Sequence, residues 1–231
     1  MTPIEHDVRR PVICGHRGAP AVQPENTLAS FAAAEKRGAT WVEFDVRPTS
    51  DGELAIHHDP ATTDGIRLGS TDYSDLNPSI PRFGDLVAAS PFLGLDIEMK
   101  TDDIDMSLAS FAELVVHEID SHCSPSHDLM VTSFDADALR LVRELRPEIP
   151  TGLLFWKRSF GEALAIAQSD GHGTLAPWIR LLTAELVEEA RAASLGVVTW
   201  TVNEPAQVQL ASSLGVDMII GDDPAVILEN L

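Results

Sequence analysis

Trp41-Val42-Glu43-Phe44-Asp45-Val46, the turn Ser50-Asp51-Gly52 and Leu54-Ala55-Ile56-His57-His58 form the stretch on which the fold turns. The first run reads as a β-strand. Side chains two apart on a strand share a face, so Glu43 and Asp45 point the same way from otherwise apolar surroundings. Two such carboxylates repel and lose solvation unless a cation lies between them. A hard divalent ion is the simple answer; structural ion pairs at a strand end are the competing reading. The turn is too short for a parallel crossover, so Leu54–His58 folds back as a hairpin arm. A turn centred on Asp51-Gly52 pairs residues whose numbers sum to about 103, which sets His58 beside Asp45.

Outward from this stretch, β-type runs alternate with helical segments from end to end. The strands are expected at Val12–His16, Trp41–Val46, Leu93–Met99, Leu129–Phe134, Gly152–Trp156, Thr174–Pro177, Gly196–Val202 and Asp217–Ile220. Helices between them include Thr27–Arg37, Met106–Ile119, Ala136–Leu145, Phe160–Gln168, Thr183–Ala193 and Glu204–Leu214, with Asn26 or Thr27 as the first cap and Gly38 as its close. With Leu54–His58 set aside as an arm, eight strands remain. That predicts an α/β protein, a (β/α)8 TIM barrel with a hairpin arm after the second strand and a short insertion. The chain of 231 residues is expected to be one domain, residues 1–231.

The chemistry falls at strand ends. Asp96, Glu98 and Lys100 share a face of their strand, and Glu98 at the level of Glu43 and Asp45 supplies a third carboxylate ligand. Lys100, one layer higher, is placed to face a phosphate oxygen; a Glu98–Lys100 pair with no metal is the competing reading, and Asp96 lies deeper and reads as structural. His16 ends the first strand and His58 returns on the arm. Two histidines near neutral pKa can share acid and base roles. Arg17 can grip a phosphate with its planar fork, and Gly18 permits a tight backbone exit. Trp200 can wall the pocket against a substrate's carbon skeleton, and either Phe155 or Trp156 should reach the mouth. His57 and His58 are adjacent, not alternate, so the histidine pair of many zinc hydrolases is missing. Oxygen ligands favour Mg²⁺ or Ca²⁺, with Mn²⁺ a further option.

The hydrophobic content of 44% and charged content of 23% are those of an ordinary globular protein. A net charge of −20 argues against nucleic acid or anionic membrane surfaces as partners. It also means that any phosphate site needs local positive charge, most simply a bound cation. No apolar run approaches a membrane span, and Met1–Pro11 carries no apolar leader core. The two cysteines, Cys14 and Cys123, lie far apart. The expectation is a cytoplasmic protein without stable membrane association, with reduced cysteines. The partner expected is a small-molecule phosphodiester; the oligomeric state is left open.

Several motifs occur in a fixed order: Cys14-Gly15-His16-Arg17-Gly18, Pro24-Glu25-Asn26-Thr27, Glu43-Phe44-Asp45-Val46, Asp51-Gly52, His58-Asp59, Ile97-Glu98-Met99-Lys100 and Trp200-Thr201-Val202-Asn203. The ordered set resembles the glycerophosphodiester phosphodiesterases, and Gly221-Asp222-Asp223-Pro224 looks like that family's final strand exit. The resemblance spans roughly residues 12 to 225. It implies a (β/α)8 barrel, a divalent cation at Glu43, Asp45 and Glu98, acid/base work by His16 and His58, and phosphate contacts from Arg17 and Lys100. The implied reaction is hydrolysis of a glycerophosphodiester to glycerol 3-phosphate and an alcohol. The chain departs from the family pattern after His58-Asp59, where the insertion is short, and an Arg usual before Thr62-Thr63 is absent. A small cover implies a more open site. Two other readings stand beside this one: a lysophospholipase D-like activity on lysolipids, and a barrel that binds phosphodiesters without turnover.

Overall fold

A computed structural model describes residues 10–231 of the chain. The leader expectation rests mainly on residues 1–9, which lie outside this range. Nine strands and eight α-helices follow one another as β1 (Val12–His16), α1 (Leu28–Lys36), β2 (Trp41–Pro48), β3 (Leu54–Ile56), α2 (Phe83–Ala89), β4 (Gly94–Met99), α3 (Leu108–His122), β5 (Leu129–Ser133), α4 (Ala136–Leu145), β6 (Thr151–Phe155), α5 (Phe160–Asp170), β7 (Thr174–Pro177), α6 (Ala184–Ala192), β8 (Gly196–Thr199), α7 (Pro205–Leu214), β9 (Met218–Gly221) and α8 (Pro224–Asn230). All strands but β3 pair in parallel, and the β1–β2 and β1–β9 ladders close the ring. This is the expected eight-stranded barrel. Among the described residues, no helix is long and apolar enough to cross a membrane.

Alternation along the strands sorts the core into two. Outward residues such as Val42, Phe44, Val46, Leu95 and Ile97 meet the helices in one large cluster. Inward residues Cys14, Met130, Leu154, Ala176, Val198, Met218 and Ile220 fill the barrel. Cys14 is therefore a buried packing residue. In β2 and β4 the inward positions are instead Glu43, Asp45, Asp96 and Glu98, all buried. One side of the barrel interior is thus acidic and the other apolar.

The hairpin differs from expectation by one residue. Val46 pairs with Ile56, Arg47 with Ala55 and Pro48 with Leu54, so partner numbers sum to 102. The loop holds three residues, Ser50-Asp51-Gly52, and is centred on Asp51 rather than on the Asp51-Gly52 bond. Gly52 takes the left-handed conformation at φ 81°, and Thr49 N donates to Glu53 O at 2.9 Å. Such a three-residue loop closes on a left-handed residue, for which glycine has no steric cost. The strand also stops at Ile56 rather than reaching His58. Residues 57–82 form the short insertion, where Leu68, Leu76 and Ile80 pack on Ala55 as a small separate core. Among the other elements, α3 ends at His122 rather than Ile119 and β8 ends at Thr199 rather than Val202.

At the first helix, Thr27 is the cap and accepts from Ser30 N at 3.2 Å. Asn26 does not cap. Its backbone sits at φ 55° and its side chain turns toward β2.

Candidate active site

The carboxylates of Glu43, Asp45 and Glu98 converge at the C-terminal end of the barrel. One ligand oxygen from each lies within 4.8 Å of the others. Register explains this: Asp45 stands opposite Glu98, and Glu43 stands opposite His16 on the other neighbour. Glu43 Oε1 and Asp45 Oδ1 are buried without a hydrogen-bond partner. Burial, reinforced by Asp45 and Glu98, pushes the Glu43 carboxyl well above its ordinary range, and burial with the Asp45 charge raises Glu98. Three clustered carboxylates, two of them with an unpaired buried oxygen, are compatible with a divalent cation.

Two cations already touch the cluster. Lys100 Nζ donates to Glu98 Oε1 at 2.9 Å and lies 3.7 Å from Asp45 Oδ1. Burial alone would lower the Lys100 pKa, but Glu98 and Asp45 outweigh it and hold it up. Arg17 Nε lies 3.3 Å from Asp45 Oδ2, an ion pair without hydrogen-bond alignment, while Arg17 Nη1 donates to Glu25. Arg17 occupies the left-handed region at φ 50°, and its backbone N–H donates to Glu43 Oε2 at 2.9 Å. Asn26, also left-handed, donates from Nδ2 to Asp45 Oδ2 at 2.8 Å. Two non-glycine residues in this conformation flank one acidic cluster, as strained backbone at functional sites often does.

Both histidines reach the same cavity, each with a carboxylate behind it. His16 Nδ1 is 2.6 Å from Asp222 Oδ1, and its Nε2 faces Glu43 Oε2 at 3.9 Å. Asp222 follows β9 and is held by Asn203, which donates from Nδ2 and accepts from the Asp222 N–H. His58 Nδ1 is 2.7 Å from Asp59 Oδ1. Burial lowers the His58 pKa; Asp45 opposes this and Lys100 and Arg17 add to it. A cavity of about 370 Å³ is lined by these histidines, Arg17, Glu98 and Lys100, and by Phe134, Trp156, Trp178 and Trp200. Of the two candidates at the end of β6, Trp156 reaches the mouth and Phe155 is buried outward at 2% exposure. Trp200 stands edge-on to Phe134 and donates from Nε1 to Ala176 O. His57 lines a separate groove with Glu25 and Thr62.

His58 arrives by a route that spacing alone does not give. The ladder register leads His57, not His58, to Asp45, and His57 N donates to Asp45 O at 3.0 Å. The chain then bends, and Arg47 holds the bend. Its Nε donates to His58 O at 2.7 Å, while Nη1 and Nη2 reach Asp102 O and Oδ1. Arg47 is 2% exposed and continues the face of Glu43 and Asp45 one layer higher. That 43, 45, 47 spacing was the available signal for it. Arg47→Met should therefore lower kcat by about 10-fold to 10²-fold with KM within about twofold, through misplacement of His58. Steady-state kinetics checks this, and Arg47→Lys should restore part of the loss.

Asp222, Asp59 and Asn26 were also missed as partners. Asp222 and His16 meet because Gly15 pairs with Gly221, so the next residue of each strand falls level. That requires knowing that the first and last strands are neighbours.

Asp96 lies below the cluster, accepting from Thr132 Oγ1 at 2.7 Å while its Oδ2 has no partner. Burial pushes its pKa from 3.8 up to about 7. A raised carboxyl binds a proton more tightly in the folded chain, so its stabilising effect is lost as pH rises from the unfolded value to the folded one. In metal-free protein, Asp96→Asn should match the wild type near pH 4. Its advantage should grow to about pH 7 and flatten above, reaching the order of a few kcal/mol, or about 5–10 °C at this chain length. Thermal unfolding against pH measures it.

Comparison with known proteins identifies the family. Residues 16–226 match the model of the glycerophosphoryl diester phosphodiesterase family. A glycerophosphodiester phosphodiesterase from Caldanaerobacter subterraneus subsp. tengcongensis is 26% identical, over 94% of this chain and 96% of that protein. One from Bacillus altitudinis is 26% identical, over 92% and 94%. The structure of an Oleispira antarctica phosphodiesterase, solved with the product sn-glycerol-3-phosphate, superposes with a TM-score of 0.87 at 24% identity, covering 96% of each chain. The chain belongs to the glycerophosphoryl diester phosphodiesterase family and is a phosphoric diester hydrolase.

Proposed function

We propose that this enzyme hydrolyses glycerophosphodiesters to glycerol 3-phosphate and an alcohol, with a divalent cation at Glu43, Asp45 and Glu98 and with His16 and His58 as acid and base. The observation that carries the reading is the convergence at one strand end of three buried carboxylates, two of them with an unpaired oxygen, beside a cavity lined by two carboxylate-backed histidines and two cations. Mg²⁺ or Ca²⁺ suits the all-oxygen donor set, with Mn²⁺ as a third option. A bound cation supplies charge neutralisation at the phosphoryl oxygens and lowers the pKa of the attacking hydroxyl.

The chain's own residues do the rest. Arg17 and Lys100 hold non-bridging phosphate oxygens beside the acidic cluster. His16 is anchored through Nδ1 on Asp222, which leaves Nε2 for the substrate; His58 is anchored on Asp59 in the same way. One Nε2 takes the proton of the attacking hydroxyl, and the other protonates the leaving alcohol. Trp200 and its aromatic neighbours exclude water from the far wall and support the carbon skeleton. A cytoplasmic location is part of the reading, in keeping with two free cysteines.

The product held by the Oleispira antarctica neighbour is in line with glycerol 3-phosphate as product. The test is a screen of glycerophosphocholine, glycerophosphoethanolamine and glycerophosphoglycerol with Mg²⁺, Ca²⁺ or Mn²⁺, reading glycerol 3-phosphate by phosphatase coupling. Release from none of them, or release unaffected by chelator, would overturn the reading. A lysophospholipase D-like activity is the second reading, favoured by the aromatic wall. It predicts lysophosphatidylcholine hydrolysed faster than glycerophosphocholine.

A further inference from the structure

The aromatic wall at the mouth is built by register. Phe155 pairs with Pro177, so Trp156 and Trp178 follow side by side on adjacent strand ends. Trp178 in turn forms a parallel bridge with Trp200, and Ile179 N donates to Trp200 O at 2.7 Å. The row contains three of the four tryptophans in the chain.

Cations stand along this row. Lys157 Nζ lies 4.3 Å from the centre of the Trp156 ring, and the Arg180 guanidinium lies 4.9 Å from that of Trp178. Arg158 follows Lys157, half-buried, and its Nη1 is buried with no hydrogen-bond partner. Among the described residues, none of these three forms an ion pair with a carboxylate, as is also true of Arg10, Lys36, Arg143 and Arg191, whereas Arg17, Arg37, Arg47, Arg67, Arg82 and Arg140 each do; what sets these three apart is that they gather on one row. The contrast matters in a chain with 36 acidic residues against 16 Lys and Arg. Glu162, in the first turn of α5, accepts from the Ser159 N–H and hydroxyl and lies near enough to Arg158 to feel its charge, so it offsets part of one cation and leaves Lys157 and Arg180 uncompensated. Stacking on a ring holds a cation in place without neutralising it. The rim is thus a local positive field on an acidic protein.

Arg17 and Lys100 mark the inner end of the same cavity. We propose that Lys157, Arg158 and Arg180 form a second anion subsite, selecting phosphodiesters whose alcohol part carries a further phosphate, with the indole row supporting the aliphatic spacer between the two. This rests on the proposed reaction for the place of the first phosphate. An anionic lipid surface presents the same chemistry, but the net charge of −20 opposes approach to such a surface. The cations also lie against rings that line the cavity, which favours a soluble ligand.

The test reads binding without turnover. Tryptophan fluorescence of the metal-loaded enzyme is titrated with alkanediol bisphosphates of three to six carbons and with the matching monophosphates. At least one bisphosphate should bind about tenfold tighter than its monophosphate, with the advantage shrinking as salt rises. Lys157 and Arg180 are both exposed, so Lys157→Gln/Arg180→Gln should fold normally. The double variant should lose the advantage and keep both monophosphate affinity and glycerophosphoglycerol turnover. Equal binding of both ligands by the wild type, or an advantage that survives the double substitution, overturns the subsite. So does capture by phosphatidylglycerol vesicles that the double variant loses when no bisphosphate advantage exists, which would give the rim to a lipid surface. Failure to hydrolyse glycerophosphoglycerol would instead count against the proposed reaction, while the ligand comparison still decides the subsite.

Discussion

Glu43→Gln should cost turnover about 10³-fold or more and, at the same time, raise the melting temperature of the metal-free protein. Both effects have one cause. Glu43 is 3% exposed, its Oε1 has no partner, and it shares a pocket with Asp45 and Glu98. Without a divalent ion, three buried carboxylates face two cations, and burial makes the charged form of Glu43 costly. A neutral amide of the same shape removes that cost and can still accept from the Arg17 N–H. With an ion bound as proposed, the same oxygen would be a ligand, and its loss would remove the charge stabilisation that the ion would supply. The measurement is a pair of thermal melts, with EDTA and with added Mg²⁺ or Ca²⁺, beside an activity assay. The wild type should gain stability from metal and the variant little. A metal-free variant that melts below the wild type would show that Glu43 is held by ion pairs alone.

The second large effect belongs to the histidines. His16→Ala and His58→Ala should each lower kcat by about 10²-fold to 10⁴-fold. Asp222→Asn should cost on the order of 10²-fold, because the amide can orient His16 but cannot balance its positive form. The pH profile adds a readout that a folding defect does not imitate. Burial holds the His58 pKa below its ordinary 6.5, so His58 stays neutral to lower pH than a free histidine. The limb of kcat/KM that reports His58, the acid limb if it acts as the base, should therefore fall below about 6.5. Asp59 raises the His58 pKa through their hydrogen bond, so Asp59→Asn should move that limb lower still, by a small amount because Asp59 is 69% exposed. Both limbs unmoved in Asp59→Asn, with His58→Ala fully active, would remove His58 from the chemistry.

The residues that alternation governs were legible in advance. Glu43 with Asp45, and Asp96 with Glu98, lie on one inward face because a strand repeats every two residues, whatever surrounds it. What escaped was set by closure and by bends. The partner of His16 sits on the last strand, and no local pattern says that the first and last strands touch. The arrival of His58 depends on a bend after Ile56 and on the Arg47 contact that holds it, and a ladder extended past its end misplaces the residue by one. The sequence sets a Glu98–Lys100 pair without metal against a metal at Glu98 with Lys100 facing phosphate; the pair is formed at 2.9 Å, and Lys100 still stands on the wall of the cavity.

His16 and Asp222 are 206 residues apart in the chain and 2.6 Å apart in space. One lies near the beginning of the polypeptide and the other within its last ten residues. The pair exists only because β9 docks against β1 and seals the ring, so opening that one seam would part His16 from its carboxylate while leaving Glu43, Asp45 and Glu98 together on the paired strands β2 and β4.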